Sequence, residues 1–490
     1  GFILMMTPLR WVRYNHRLTR TVVLRNRCIR LASRASPCRL QDGNCGQSAT
    51  ILPLLVSTVS LLTRRTVMRR NSIIFWATLI LAVCFLVQLL GYGVRHSFSI
   101  FFPFILDEYH WARGDTALML SIHLLVYGIC APITGTLVTK LPPKQLILFG
   151  IVVLSIATAA CYLATELWHF YLFFGVLAPI GLSCVGSPVV NPTIVNWFNE
   201  RRGMAIGLAQ TGGGLSFVFV FLMEFVISAV GWRLAYIVMG LIILTVAVPI
   251  VLAGYTFKPQ ERGLQPLGAN KGEEQKGSIS PASPGRNAVE RWSVRSGLKS
   301  KELWLLFFSN MLFWGTGCYL VLAHQVKHAM DLGYSSAIAA STTAFFGAFM
   351  VTGQISALIS DRIGREATVL TASVFTSIAI VLLISLKPTS GLAPLYGFAV
   401  LFGLGSGLYA VCVFAGAADI FAGRHFGLFN GIVLAGMGFG GAFGPWLGGL
   451  LYDLSGSYLF SFLFALGSFV LAFVAFYGAA PRRYVARGFG

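Results

Sequence analysis

The stretch GYGVRHSFSIFF, residues 91–102, sets a permanent cation, Arg95, beside a titratable ring, His96, inside a run of more than thirty mostly apolar residues. A cation at such depth costs about 2.5–3.5 kcal/mol to insert, so it must face a polar interior or an acidic partner. The chemistry on offer is capture of an anion. His96, with an unperturbed pKa of about 6.5, could add a proton to that charge. Two blander roles compete for Arg95: snorkelling to the interface, or pairing with Glu224. Adjacent helical residues point about 100° apart, so Arg95 and His96 are not expected to face one cavity squarely.

Other polar side chains recur inside apolar segments. Tyr92, Asn191, Gln210, Tyr319 and Ser406 are candidate cavity residues, as are His123, His324 and Gln354. Taken singly, each is better explained by an interhelical hydrogen bond than by ligation. The nine cysteines form no CxxC pair, and no metal-ligand spacing appears. No cofactor is implied. GxxxxGK, HExxH and GxSxG are all absent, which gives no sign of an ATP-driven pump or of an enzyme.

The elements that must position these residues follow from composition. Of 490 residues, 56% are hydrophobic and 11% charged, against roughly 25% charged in soluble domains. Apolar stretches of about 20 residues recur, each long enough to cross a bilayer as a helix. Twelve spans are expected, at 73–106, 115–138, 146–166, 170–198, 203–228, 232–255, 302–328, 335–359, 366–386, 392–421, 427–452 and 457–479. The polar stretch at 258–292 reads as a flexible linker. The expected organisation is thus a six-helix bundle at 71–256, a cytoplasmic linker at 257–300, a second bundle at 301–480 and a cytoplasmic tail at 481–490.

Residues 1–70 hold 13 of the 37 Lys and Arg and a single acid, Asp42. They read as a basic extension, disordered or non-native, with a transit peptide as the alternative. From Asn71 onward, 19 Lys and Arg fall in loops on one side and four on the other, Arg113, Arg233, Lys327 and Lys387. That asymmetry puts both termini in the cytoplasm. It also accounts for the net charge of +20 without a nucleic-acid partner.

The two halves repeat. RRGMAIGLAQTGGG carries Gly203, Gly207, Gly212 and Gly214, and RHFGLFNGIVLAGMG carries Gly427, Gly431, Gly436 and Gly438 at the same steps. Small residues at such spacing let helices approach closely, so these glycines are assigned packing roles.

With DRIGR at 361–365, the chain resembles the major facilitator superfamily over 71–480. The resemblance implies two pseudo-symmetric six-helix bundles. It also implies an inner gate in which Asp361 meets Arg202 and the helix start at Gly203, with Arg362 or Arg365 near Asp419. The first half carries Thr139 at the Asp position, which makes the gate one-sided. RHSFSIFF, NWFNERRGMAIGLAQTGG, GWR and FGPWLGGLLYDLSGSY are more closely similar to the monocarboxylate transporter family and its bacterial relatives. Its eukaryotic carriers have Lys at the position of His96 and Tyr at that of Tyr92. They also carry an Asp and an Arg four apart in the eighth span, where this chain has Phe349 and Gly353.

The resemblance implies a monomeric, multi-pass protein of a bacterial-type inner membrane that moves a small organic anion, a monocarboxylate, with a proton. Arg95, His96, Tyr92, Asn191, Gln210, Tyr319 and Ser406 would bind substrate, and His96 would couple the proton. The alternatives are a receptor or sensor on the same scaffold, or a carrier of an uncharged or drug-like solute.

Overall fold

The computed structural model describes residues 48–199, 202–268, 292–357, 360–421 and 426–482. Twelve helices are long and apolar enough to cross a membrane. We number them α1 (Ser72–Tyr109), α2 (Arg113–Val138), α3 (Pro143–Leu163), α4 (Leu167–Trp197), α5 (Met204–Val230), α6 (Trp232–Gly254), α7 (Lys301–Asp331), α8 (Ser336–Ser356), α9 (Arg365–Ser385), α10 (Leu392–Phe421), α11 (Phe426–Ser455) and α12 (Leu459–Ala479). The expected spans match these within three residues at each end. Helix is the element such sequences must adopt, because in hydrocarbon every backbone N–H and C=O has to be satisfied within the segment. Among the described residues there is no strand beyond one isolated bridge.

Interhelical packing relies on glycine. A Cβ on Gly181 in α4 would lie 2.6 Å from the Leu154 nitrogen in α3, and one on Gly438 in α11 would lie 2.9 Å from Gly128 Cα in α2. Gly214 in α5 packs on Val351 of α8, and Gly347 of α8 packs on Phe217 of α5. The packing role given to the repeat glycines holds only in part. Gly212, Gly214, Gly436 and Gly438 meet neighbours closely, whereas a Cβ at Gly207, Gly427 or Gly431 would have nothing within 4 Å. Gly203 lies outside the residues whose packing is described.

Several helices are interrupted at mid-depth. α4 breaks at Gly186, where Ala178–Val185 gives way to Ser187–Trp197. The regular turns of α5 stop at Leu215 and resume at Val218, leaving Ser216 and Phe217 at the joint. α7 widens to a π-helix over Met311–Cys318. Such irregular turns re-aim side chains and collect at functional sites.

The linker is not free chain where it begins. Leu267 exchanges backbone hydrogen bonds with Trp197 and Asn199 at 2.8 and 2.9 Å, and the Arg262 guanidinium lies 3.5 Å over the Trp76 ring. Paired backbone and a stacked cation order a segment that composition alone marks as flexible. At its far end, Trp292 donates to the Ile420 carbonyl at 2.9 Å. The extension expected over residues 1–70 lies outside the described residues up to 47. From Ser48 the backbone is helical.

Candidate functional site

Arg95 is 1% exposed and sits among the largest fully buried side chains. About 21 Å of helix separates it from the end of α1 at Tyr109, at about 1.5 Å per residue, which places it near mid-membrane. Neither of the blander roles is built. The guanidinium joins no ion pair among the described residues, and Glu224 instead accepts from Ser228 and Ser336 at 3.0 and 2.9 Å.

A cage of tyrosines holds the cation. Nη1 donates to Tyr319 Oη of α7 at 3.4 Å. The guanidinium carbon lies 4.2 Å from the Tyr127 ring centre and 5.2 Å from that of Tyr92. Ring faces attract a desolvated cation by about 2 kcal/mol or more, without neutralising it. Nε and Nη2 remain buried and have no hydrogen-bond partner. These two nitrogens share one edge of the planar guanidinium. Their N–H bonds run side by side, at the spacing of the two oxygens of a carboxylate. The cage therefore occupies one side of Arg95 and leaves its fork open.

His96 takes the neighbouring wall. Its Nδ1 is 2.7 Å from Ser216 Oγ, and its ring stacks on Phe217 with centres 3.6 Å apart. Ser216 in turn donates to the Gly213 carbonyl at 2.6 Å. A hydroxyl whose proton is so engaged accepts from Nδ1–H, which leaves Nε2 as the ring's free basic site. The interrupted turn of α5 supplies both Ser216 and Phe217. Contrary to the 100° argument, Arg95 and His96 both line one cavity, together with Phe98, Ser99, Leu120, Phe217, Tyr319 and Leu322. They do so from different walls. The cavity is narrow, with about 10 Å³ of space for the centre of a water-sized sphere.

A polar network runs away from the cage. Tyr92 Oη is 2.8 Å from Tyr127 Oη and 3.2 Å from Ser187 Oγ. Ser187 contacts the Gln210 side chain, whose Nε2 donates to Asn191 Oδ1 at 2.8 Å. Asn191 and Gln210 are thus tied to the cation through Tyr92, but neither lines the cavity. Ser406 is apart from this group, buried against the Cys318 sulfur at 3.5 Å. His123 is held by the Phe174 carbonyl, and His324 by the Pro445 carbonyl, both at 2.8 Å. Tyr127, Ser187 and Ser216 went unnoticed in the sequence. A single hydroxyl-bearing side chain in an apolar helix carries no spacing that separates it from an ordinary packing residue.

Gly353 stands where eukaryotic monocarboxylate carriers have an arginine. A Cβ there would lie 3.1 Å from Gly407 Cα of α10. The backbones meet too closely there for a long side chain.

At one membrane face, α2 and α7 are locked to α11 and α12. Asp453 accepts from the backbone N–H of Arg113 and Gly114 at 3.0 and 2.7 Å, capping the start of α2 from a distant helix. Arg113 pairs with Asp331 at 2.6 Å, bonds to Tyr458 Oη at 2.8 Å and stacks over Tyr452. Lys327 bridges Asp107 at 2.7 Å. The opposite face has Gly207, Gly427 and Gly431 without close neighbours. There Arg365 pairs with Asp419 at 3.1 Å and also bonds to Ser360, while Arg362 is exposed. The side chains of Asp361 and Arg202 lie outside the described residues.

The sequence model described as Major Facilitator Superfamily matches residues 81–359 and 329–488. Monocarboxylate transporter 11 of Homo sapiens is 27% identical over 421 residues, covering 83% of each chain. Monocarboxylate transporter 13 of Rattus norvegicus is 25% identical over 400 residues, covering 81% of this chain and 87% of the relative. Among solved structures, a bacterial homolog of the human lysosomal transporter Spinster, inward-facing and unoccupied, superposes with a TM-score of 0.61. It shares 16% identity, covers 84% of this chain and 97% of its own, and supports the fold alone.

Proposed function

The chain belongs to the Major Facilitator Superfamily, and from that premise we propose that it carries a small monocarboxylate together with a proton by alternating access. The observation that carries the reading is the unpartnered Nε/Nη2 edge of Arg95, buried at mid-membrane in a chain related to monocarboxylate transporters. A carboxylate docked there would make two charge-assisted hydrogen bonds and neutralise a cation that no acidic side chain pairs. An uncharged or drug-like solute would leave that charge uncompensated in hydrocarbon.

His96 is the proton site in this reading. His96 lines the same cavity, so a proton on its Nε2 and a carboxylate on Arg95 would enter and leave together. Tyr319 couples the two halves, since α7 reaches Arg95 of α1 through its hydroxyl. Lys140 and Lys144 belong to the Lys- and Arg-rich side of the chain, which we assign to the cytoplasm with both termini, in a plasma or bacterial-type inner membrane. The face locked by Arg113 and Asp453 is then extracellular, and the conformation is inward-facing. The halves 71–256 and 301–480 would rock about the cavity, with Arg365–Asp419 as part of the inner gate.

Reconstitution tests this. Proteoliposomes are loaded with unlabelled acid, and counterflow of labelled lactate, pyruvate, acetate, oxalate and formate is followed at two pH values. The proposal expects counterflow of at least one monocarboxylate, faster uptake with an acidic exterior, and none with Arg95→Gln. Uptake indifferent to that substitution would remove Arg95 as the site, and a flux blind to an imposed pH gradient would remove the coupling.

A further inference from the structure

The membrane face closed by Arg113 and Asp453 has a histidine behind it. His324 of α7 is 0% exposed and stands about two turns inside the helix end at Asp331. Its ring meets that of Phe102 of α1 at a steep angle, with centres 5.3 Å apart. It also lies against Gly448 of α11, where a Cβ would come within 2.8 Å of it. Both ring nitrogens are in use. Nε2 is 2.8 Å from the Pro445 carbonyl oxygen, which can only accept, so Nε2 carries the hydrogen. Nδ1 of the neutral ring is then a lone pair, and the Tyr458 hydroxyl donates to it at 3.3 Å. Tyr458 Oη in turn accepts from Arg113 Nη1 at 2.8 Å.

These bonds run in one direction, from Arg113 in the first half through Tyr458 and His324 to α11 in the second. Arg113 also pairs with Asp331, and its backbone N–H is held by Asp453, so the relay reaches the contacts that close this face. A proton on Nδ1 would turn the acceptor into a donor. Tyr458 Oη would then lie between two cations, with its own hydrogen left without a partner. The closed face and a protonated His324 therefore oppose one another. The other titratable groups around the ring are Asp107 of α1, Lys327, His328 and Asp331 of α7, and Tyr452 and Asp453 of α11. All but His328 belong to the latch itself. His328 turns its Nε2 to the Leu383 carbonyl of α9 at 3.4 Å and meets Tyr458 only through its ring.

We infer that His324 is a proton-binding site whose occupation unlocks this face. A proton taken from solvent favours the state in which Arg113, Tyr458 and Asp453 have separated and the ring is wet. The site does not rest on the carboxylate reading of Arg95. On the orientation proposed above, this face meets the outside, so external acid would raise the share of carriers open to an incoming solute. That proton returns to the face it came from and does no work. The response to a gradient at fixed external pH therefore stays with His96.

The test is amide hydrogen exchange at Arg113 and Gly114 in the purified full-length protein without substrate, corrected for the intrinsic effect of pH on exchange. As first-turn donors these two amides have no acceptor inside α2, so their protection reads the Asp453 contact. Wild-type protection should fall about tenfold from about pH 7.5 to about pH 5.5, as one imidazole of pKa about 6.5 when hydrated requires. His324→Gln, whose amide can still donate to Pro445 and accept from Tyr458, should stay level. Tyr458→Phe keeps the ring but removes the hydroxyl, so its fall should be smaller than that of the wild type; it decides the matter if His324→Gln does not fold. His328→Gln should behave as wild type. Level protection in the wild type overturns the inference with no variant needed. So does a fall that begins only below about pH 5, where Asp453, Asp331 and Asp107 would titrate. An undiminished fall in His324→Gln or Tyr458→Phe, or its loss in His328→Gln, overturns it equally.

Discussion

Arg95→Lys separates charge from fork. The ammonium keeps the positive charge and its attraction to the Tyr127 ring, now 4.2 Å from the guanidinium carbon. What it loses is the parallel pair of donors that Nε and Nη2 present on one edge. The contact to Tyr319 contributes little to the difference, because at 3.4 Å it is a long hydrogen bond. One charge-assisted hydrogen bond is worth about 1.5–3 kcal/mol. Affinity for the carried acid should therefore fall by about ten- to 150-fold, at about 1.4 kcal/mol per factor of ten. The assay is equilibrium binding of a labelled monocarboxylate to purified protein, with elution volume as the folding control. A dissociation constant within about threefold of wild type would refute the reasoning, since a loss that small is under about 0.7 kcal/mol.

Three further outcomes follow from the same geometry. Gly431→Leu should insert and bind substrate like wild type, because nothing lies within 4 Å of its position and a mid-helix Gly costs about 0.8–1 kcal/mol relative to better formers. Its turnover should nonetheless stop, since closing that face needs the small residue, and wild-type counterflow would contradict this. Asp453→Ala removes both acceptors that cap α2, each worth about 1.5–3 kcal/mol. It should raise labelling of a cysteine placed at Ala117, read from the Arg113 face, by about tenfold or more, and an unchanged rate would dismiss the latch. His96→Gln should retain downhill exchange of the acid but lose acceleration by a pH gradient, and a preserved response would move the proton elsewhere.

The helices were legible in the sequence because hydrocarbon leaves a long apolar segment only one way to satisfy its backbone, and all twelve lie where expected. Arg95 was legible for the same reason, as a cation inside such a segment has to be explained. Its surroundings were not. Tyr127 reaches it from α2 and Tyr319 from α7, and a sequence does not say which faces of distant helices meet. The joint at Ser216-Phe217 escaped notice because GGGLSF reads equally well as a continuous helix. Asn191 and Gln210 were marked as cavity residues on polarity alone, yet they serve one another and Tyr92. The repeat glycines looked equivalent in both halves, but only Gly212, Gly214, Gly436 and Gly438 meet close neighbours, which only the packed helices reveal.

The most direct measurement is equilibrium binding to the purified wild type of a short aliphatic acid and of its neutral amide, matched in shape, with Arg95→Gln alongside. The account predicts that wild type binds the acid at least tenfold more tightly than the amide, and that the difference disappears in Arg95→Gln. Equal binding of acid and amide by the wild type, or an undiminished preference in the variant, would contradict it.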